Sequence, residues 1–121
     1  MYKFPVYWTD KLKVDLLQRV ILIHSYLYYE ADSSVWSDKK YDEVAKQLTK
    51  MQKSKSTVWI KENTQYGYAF YDFDGTTGFD LYHRLNRTDK EMIKKIAMNI
   101  LLGKKWLDVF SLFYFSRTFT N

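Results

Sequence analysis

The helical pattern of this chain is most regular over residues 10–52, which read DKLKVDLLQRVILIHSYLYYEADSSVWSDKKYDEVAKQLTKMQ. Thr9 or Asp10 can cap a first helix. Apolar side chains then recur at helical spacing at Leu12, Leu16, Val20, Ile23 and Leu27. Apolar neighbours widen this stripe, which indicates burial against more than one other element. We expect this helix to run to about residue 31.

Polar residues at positions 32–34 interrupt the pattern before a second helix. Ser37 or Asp38 can cap this helix, and its apolar spacing extends it to about residue 52. The residues that we expect to face inward are Tyr41, Val44, Ala45 and Leu48. The two segments together predict a helical hairpin over residues 11–52.

The apolar period changes between residues 56 and 73. Val58 and Ile60 alternate with polar neighbours, and aromatic residues follow on both sides of Gly67. Alternation and aromatic residues favour strands, so we expect a small antiparallel β-hairpin over residues 56–73. Residues 72–78, Asp-Phe-Asp-Gly-Thr-Thr-Gly, then predict a loop.

The C-terminal part opens with a helix signal, because Thr88-Asp89-Lys90-Glu91 matches a capping box. We expect Gly103 to end that helix. The aromatic residues at 104–115 suit either a buried helix or a strand, and we favour a helix. The predicted fold class is therefore α+β. It comprises an N-terminal helical hairpin, a small antiparallel β-hairpin and one or two C-terminal helices over residues 88–115.

The composition is that of one folded domain. The chain has 121 residues, of which 46% are hydrophobic and 19% aromatic, enough for one core and marginal for two. Cysteine is absent, so disulfides and thiolate metal sites are excluded. We see neither a membrane-spanning run nor a signal-peptide pattern. We therefore expect a cytoplasmic protein that does not associate with membranes.

The net charge is +5, from 19 basic and 14 acidic residues. Such an excess attracts nucleic acid or an acidic protein weakly, but dedicated DNA-binding proteins cluster their basic residues more densely. Lys39, Lys46 and Lys50 lie on the outer face of the second predicted helix. This face is solvated by default, and it becomes a binding surface if the partner is nucleic acid or an acidic protein.

The sequence predicts no catalytic residue and no metal site. His24 and His83 lie far apart without an acid or a serine at a telling spacing, and we expect His24 to be a hydrogen-bonded core residue. A calcium loop needs a terminal bidentate glutamate. That glutamate is missing after the oxygen-bearing residues Asp72, Asp74, Thr76, Thr77 and Asp80.

Two neighbouring segments carry a resemblance to a known family. Tyr26-Leu27-Tyr28-Tyr29-Glu30 is followed by Val35-Trp36-Ser37-Asp38-Lys39-Lys40-Tyr41-Asp42. This order resembles the N-terminal domain of NAD-dependent DNA ligases over roughly residues 11–52. In that family the tyrosines and acids form a cleft that holds the nicotinamide mononucleotide half of NAD. The resemblance implies that the nucleotide-binding residues here are Tyr28, Tyr29, Asp38, Tyr41 and Asp42.

Ligases of this family also need a nucleotidyltransferase motif, Lys-x-Asp-Gly, whose lysine becomes adenylylated. The Asp-Gly of this chain is Asp74-Gly75, and Asp72 stands where the lysine would be. We therefore expect that this chain does not ligate DNA by itself and that it is not an enzyme.

The segments Leu17-Gln18-Arg19, His24-Ser25, Tyr28-Tyr29-Glu30 and Ser37-Asp38-Lys39 are also similar to small proteins of bacteriophages that infect Gram-positive bacteria. Together with the small size, the basic charge, the many aromatic residues and the lack of a catalytic set, this resemblance favours a phage accessory or inhibitor protein, for which we expect no cofactor. It would bind a host or defence protein, such as a CRISPR effector nuclease or a replication factor, and Lys39, Lys46 and Lys50 would contact that partner. The alternative is a protein that keeps the cleft and binds NAD or nicotinamide mononucleotide, or that assists a ligase.

Overall fold

A computed structural model describes residues 1–76 and 78–119, with side chains described up to residue 103. In chain order the elements are α1 (Asp10–Ser25), a π-helical turn (Tyr26–Glu30), α2 (Asp38–Lys53), α3 (Thr57–Asn63), α4 (Gly67–Phe70), a 3-10 turn (Tyr82–Arg84) and α5 (Arg87–Phe119). These described residues contain no β-strand. The expected α+β class is therefore wrong, and the described chain is helical.

The helices α3 and α4 occupy residues 56–73, where we expected a β-hairpin. The Ser56 hydroxyl caps α3 by accepting the Trp59 N–H at 3.0 Å. Val58 is 61% exposed and Ile60 only 3%. The two residues therefore lie on opposite sides of a short helix. Gly67 lies so close to the Ile60 carbonyl that a Cβ would overlap it. This glycine therefore allows α3 and α4 to approach each other and does not belong to a strand.

The two N-terminal helices that the periodicity predicts are present as α1 and α2. Thr9 caps α1 by accepting the Leu12 N–H at 3.3 Å, and Ser37 caps α2 by accepting the Lys40 N–H at 3.1 Å. α1 packs against both α2 and α5. The fully buried side chains of this core include Val14, Leu17, Ile21, Leu27, Val44, Leu48 and Ile93.

Buried amide groups join the helical hairpin to the short helices. Gln18 donates to Gln52 at 3.0 Å and to Thr64 at 3.2 Å. Gln52 in turn donates to the Phe70 carbonyl at 2.9 Å. Buried polar groups are costly when they lose their partners. This network therefore holds α3 and α4 against α1 and α2.

The cap of α5 is Asn86, and the expected capping role of Thr88 is wrong. The Asn86 side-chain oxygen accepts the Asp89 N–H at 2.8 Å. The Tyr68 hydroxyl accepts the Asn86 N–H at 3.2 Å and donates to the Asp89 carboxylate. Asparagine is a stronger cap than threonine, and Tyr68 fixes its position.

The helix α5 continues through Gly103, so the expected end at this glycine is also wrong. Residues 104–115 lie within α5, and their backbone is helical as we favoured. Ile93 and Ala97 of this helix are fully buried. The aromatic side chains at 110–119 lie outside the described side chains.

Candidate ligand-binding cleft

A cleft of about 260 Å³ lies where the end of α1, the connection to α2 and the first turns of α2 meet. Its lining residues are His24, Tyr28, Tyr29, Ser34, Trp36, Asp38, Tyr41, Asp42 and Thr76. Every residue that the ligase resemblance marks as nucleotide-binding is among them. The fold therefore brings together the whole of that expected set.

Tyr28 and Tyr29 reach the cleft through the π-helical turn that follows α1. The Ala31 N–H donates to the Tyr26 carbonyl at 3.0 Å, which is the wider hydrogen-bonding pattern of a π-turn. Tyr28 remains 47% exposed, and its ring meets that of Tyr29 edge to face with centroids 4.7 Å apart. Asp32 then turns the chain towards α2 with a φ of 48°, in the left-handed region.

The opposite wall is one face of α2. Asp38, Tyr41 and Asp42 share this face because they are three and four residues apart. The Tyr41 hydroxyl shares a hydrogen bond of 2.8 Å with Ser25. Burial raises the pKa of Tyr41 to about 12, although the hydrogen bond with Ser25 acts in the opposite direction. The Tyr41 hydroxyl is therefore neutral at physiological pH.

His24 and Trp36 form a stacked pair in the cleft wall. Their ring centroids lie 3.6 Å apart with an angle of 10° between the planes. Burial, and then the charge of Lys40, lower the pKa of His24 to about 4, so the ring is neutral at pH 7. Lys40 extends its ammonium group over the Trp36 ring, 5.2 Å from the centroid.

The expectation that His24 is a hydrogen-bonded core residue is wrong. His24 lines the cleft, and its buried Nδ1 has no hydrogen-bond partner within the described part of the chain. One feature of the sequence indicated that His24 lies near Tyr28. The two residues are four apart, and a helix places such residues on the same face. We also did not predict the cleft residues Ser34, Trp36 and Thr76. They come from connecting segments, which carry no helical period.

The charges on the cleft are carboxylates. Among residues 1–76 and 78–103, no lysine or arginine lines it. Within the same residues neither Asp38 nor Asp42 forms an ion pair. Aromatic faces beside carboxylates without a cationic partner favour a positively charged ring as ligand.

The candidate partner-binding lysines lie elsewhere on α2. Lys39, Lys46 and Lys50 are all exposed, and none of them lines the cleft. Their spacing of seven and four residues places them along one side of the helix. The structure therefore separates the cleft residues from the lysine stripe, which we define as Lys39, Lys46 and Lys50.

The acidic loop after α4 is held by its own contacts. Arg84 forms ion pairs with Asp72 and Asp80, and Asp74 accepts hydrogen bonds from Thr76. Thr77 lies outside the described residues. Among the residues that the structure describes, no group of histidines and acids is arranged to hold a metal ion.

No helix in the described part of the chain is long and apolar enough to cross a membrane. Comparisons of the chain with protein-family models, with curated proteins and with solved structures find no match. None of these comparisons supports the resemblance of residues 11–52 to the ligase domain.

Proposed function

We propose that this chain acts by binding, and that its cleft takes nicotinamide mononucleotide, either free or as part of NAD. The observation that supports this proposal is that Tyr28, Tyr29, Asp38, Tyr41 and Asp42 line the same cleft. The resemblance concerns the order of these residues along the chain. A nucleotide site also requires them to converge in space, and they do.

The chemistry of the cleft suits the nicotinamide ring. The ring carries a positive charge in the oxidised nucleotide, and each aromatic face contributes about 0.5–2 kcal/mol to binding such a cation. The carboxylates of Asp38 and Asp42 complement the same charge. The volume of about 260 Å³ lies below the range of about 300–1,000 Å³ that encloses a drug-sized ligand. We therefore propose that the cleft encloses the nicotinamide half and leaves the remainder of NAD outside.

Thermal unfolding tests this proposal, because a ligand that binds only the folded state raises the melting temperature. Millimolar nicotinamide mononucleotide should raise it in the wild type. Asp42→Asn, at an exposed cleft residue, should reduce the shift. Glu43→Gln removes the same charge from the next residue, which does not line the cleft, and should keep the shift. No shift in the wild type, or equal shifts in all three proteins, would contradict the proposal.

A second proposal concerns the lysine stripe. All three lysines are exposed and form no ion pair within the described residues, which favours contact with an acidic partner. In this proposal the chain is an accessory or inhibitor protein that binds a host or defence protein. Nucleic acid is the weaker candidate partner, because the basic residues are not densely clustered.

Affinity capture from a bacterial host lysate at two salt concentrations tests the second proposal. Lys46→Gln combined with Lys50→Gln should release a partner that the wild type retains at low salt. Lys94→Gln combined with Lys95→Gln removes the same charge from exposed positions on α5 and should retain the partner. Equal retention by both double variants would contradict a role for the stripe.

A further inference from the structure

We infer that the turn formed by Pro5, Val6, Tyr7 and Trp8 attaches the protein to anionic phospholipid surfaces by inserting two apolar side chains. Val6 is fully exposed and Tyr7 is 81% exposed, more than any other large hydrophobic residue in the described part of the chain. None of the four residues lines the cleft, so the inference does not depend on the proposed nucleotide site.

The turn is closed by its own backbone and anchored at both ends. The Trp8 N–H donates to the Pro5 carbonyl at 3.0 Å. Before the turn, the Tyr2 N–H donates to Gln47 Oε1 at 3.0 Å, and Gln47 Nε2 donates to the Tyr2 carbonyl at 2.8 Å. After the turn, Thr9 caps α1. The backbone that carries the two apolar side chains is therefore held in place against α1 and α2.

The aromatic residues on either side of the tip pack inward, whereas the tip itself points outward. Tyr2 and Phe4 pack against the core, and their stacked rings lie 6.4 Å apart between centroids. Phe4 also stacks on Trp8 at 5.6 Å. Val6 and Tyr7 remain exposed although apolar rings lie close by along the chain. A tip that is already held in one conformation loses little freedom when it binds.

The uncompensated charges beside the turn are positive. Lys3 is exposed, and the Lys13 ammonium lies 6.0 Å from the centroid of the Phe4 ring. Neither lysine forms an ion pair within the described residues. The acids nearest in sequence are Asp10 and Asp15, and each already pairs with another lysine. Two positive charges are therefore available at the base of the apolar tip.

This combination matches an anionic lipid surface better than a protein partner. A lipid interface accepts a small apolar insertion, and each lysine near an anionic surface strengthens attachment by about fivefold. A specific protein interface buries about 1,200–2,000 Å², far more than the two side chains of a turn supply. Such attachment is peripheral. The expectation that the protein does not associate with membranes rested on the lack of a spanning run and of a signal peptide, neither of which this attachment needs.

Co-sedimentation with lipid vesicles tests the inference. The wild type should bind vesicles of phosphatidylcholine and phosphatidylserine in about equal amounts, and it should not bind phosphatidylcholine alone. Val6→Gln combined with Tyr7→Gln should weaken binding at least about tenfold, because both inserted side chains are lost. Met92→Gln combined with Met98→Gln removes two exposed apolar side chains from α5 and should bind like the wild type.

A second pair of variants tests the charges. Lys3→Gln combined with Lys13→Gln should weaken binding to the same vesicles at least about tenfold, since two attractions of about fivefold are removed. Lys94→Gln combined with Lys95→Gln removes the same charge from exposed positions on α5 and should leave binding unchanged.

No binding of the wild type to the anionic vesicles would overturn the inference. Equal binding by the variant that lacks Val6 and Tyr7 would overturn it too, because the contact would then be electrostatic alone. Sedimentation of the wild type as a dimer that this variant converts to a monomer would assign the turn to a second copy of the chain, and would likewise contradict attachment to lipid.

Discussion

The hydroxyl groups of Ser25 and Tyr41 share a hydrogen bond of 2.8 Å, and the backbone of Gly78 packs against both of them. Gly78 is buried, and a Cβ built on it would overlap both hydroxyl oxygens. The loop before the 3-10 turn therefore packs against Tyr41 in the cleft wall. The position of Tyr41 depends on a glycine far away in sequence.

Gly78→Ala should therefore destabilise the protein, by about 1–3 kcal/mol, because the added methyl group must displace Tyr41 or the loop. Gly103→Ala is a matched control in α5, where a Cβ would meet nothing within 4 Å among the described residues. It should stabilise the helix by about 0.5–1 kcal/mol. Urea unfolding of both variants provides the measurement. A Gly78→Ala protein as stable as the wild type would show that Tyr41 is not held in this way.

The start of α5 gives a second prediction. Asn86→Ala should lower the free energy of unfolding by about 1 kcal/mol, because the Asp89 N–H loses its acceptor. Thr88→Ala lies two residues further on and should change it by a few tenths of a kcal/mol at most, about the effect of an ordinary surface substitution. If Thr88→Ala proves the more damaging of the two in chemical denaturation, the helix begins with the capping box instead.

The local sequence predicted α1 and α2 because the apolar period and the N-cap residue both indicate a helix in each segment. Ser37 precedes a regular apolar stripe, and the Ser37 hydroxyl does cap α2. Residues 56–73 offered only a short alternation around Val58, which a helix and a strand both satisfy. The helix is supported by the Ser56 cap and by distant contacts such as that between Gln18 and Thr64. A contact across this distance in sequence leaves no local pattern.

The cleft residues likewise include some that local sequence predicted and others that it did not. The resemblance to a family predicts that the tyrosines and acids of residues 28–42 bind a nucleotide. These residues line the cleft, and the binding role stays a prediction. His24 and Trp36 were missed because their stacking depends on how the chain turns at Asp32, where φ is positive. Thr76 was missed because the loop that carries it reaches the cleft through the contact between Gly78 and Tyr41.

A third prediction concerns pH. Burial, with a smaller effect of Lys40, lowers the pKa of His24 from 6.5 to about 4, so the unfolded chain takes up this proton more readily than the folded one. The contribution of His24 to stability is therefore fully present above pH 6.5 and is lost as the pH falls through 4. The loss should amount to about 1–2 kcal/mol, since the partly exposed ring is screened by water.

His24→Phe removes this titration and keeps a ring to stack on Trp36. Urea unfolding at several pH values should show a shallower fall in stability below pH 6.5 for the variant than for the wild type. His83, which lies 3.1 Å from Glu30, is unchanged between the two proteins, so the difference between them reports on His24. Parallel curves for the two proteins would show that His24 titrates alike in the folded and unfolded states.

The central claim is that the cleft binds nicotinamide mononucleotide, and calorimetric titration of wild type, Tyr28→Ala and Tyr71→Ala tests it most directly. Tyr28 lines the cleft and is 47% exposed, whereas Tyr71 is 39% exposed and lies outside the cleft. Both variants lose a half-exposed ring, but Tyr28→Ala alone loses an aromatic face for the ligand, about 0.5–2 kcal/mol. We predict saturable binding to the wild type and to Tyr71→Ala, and clearly weaker binding to Tyr28→Ala. No heat with the wild type, or equal affinity in all three proteins, would contradict the claim.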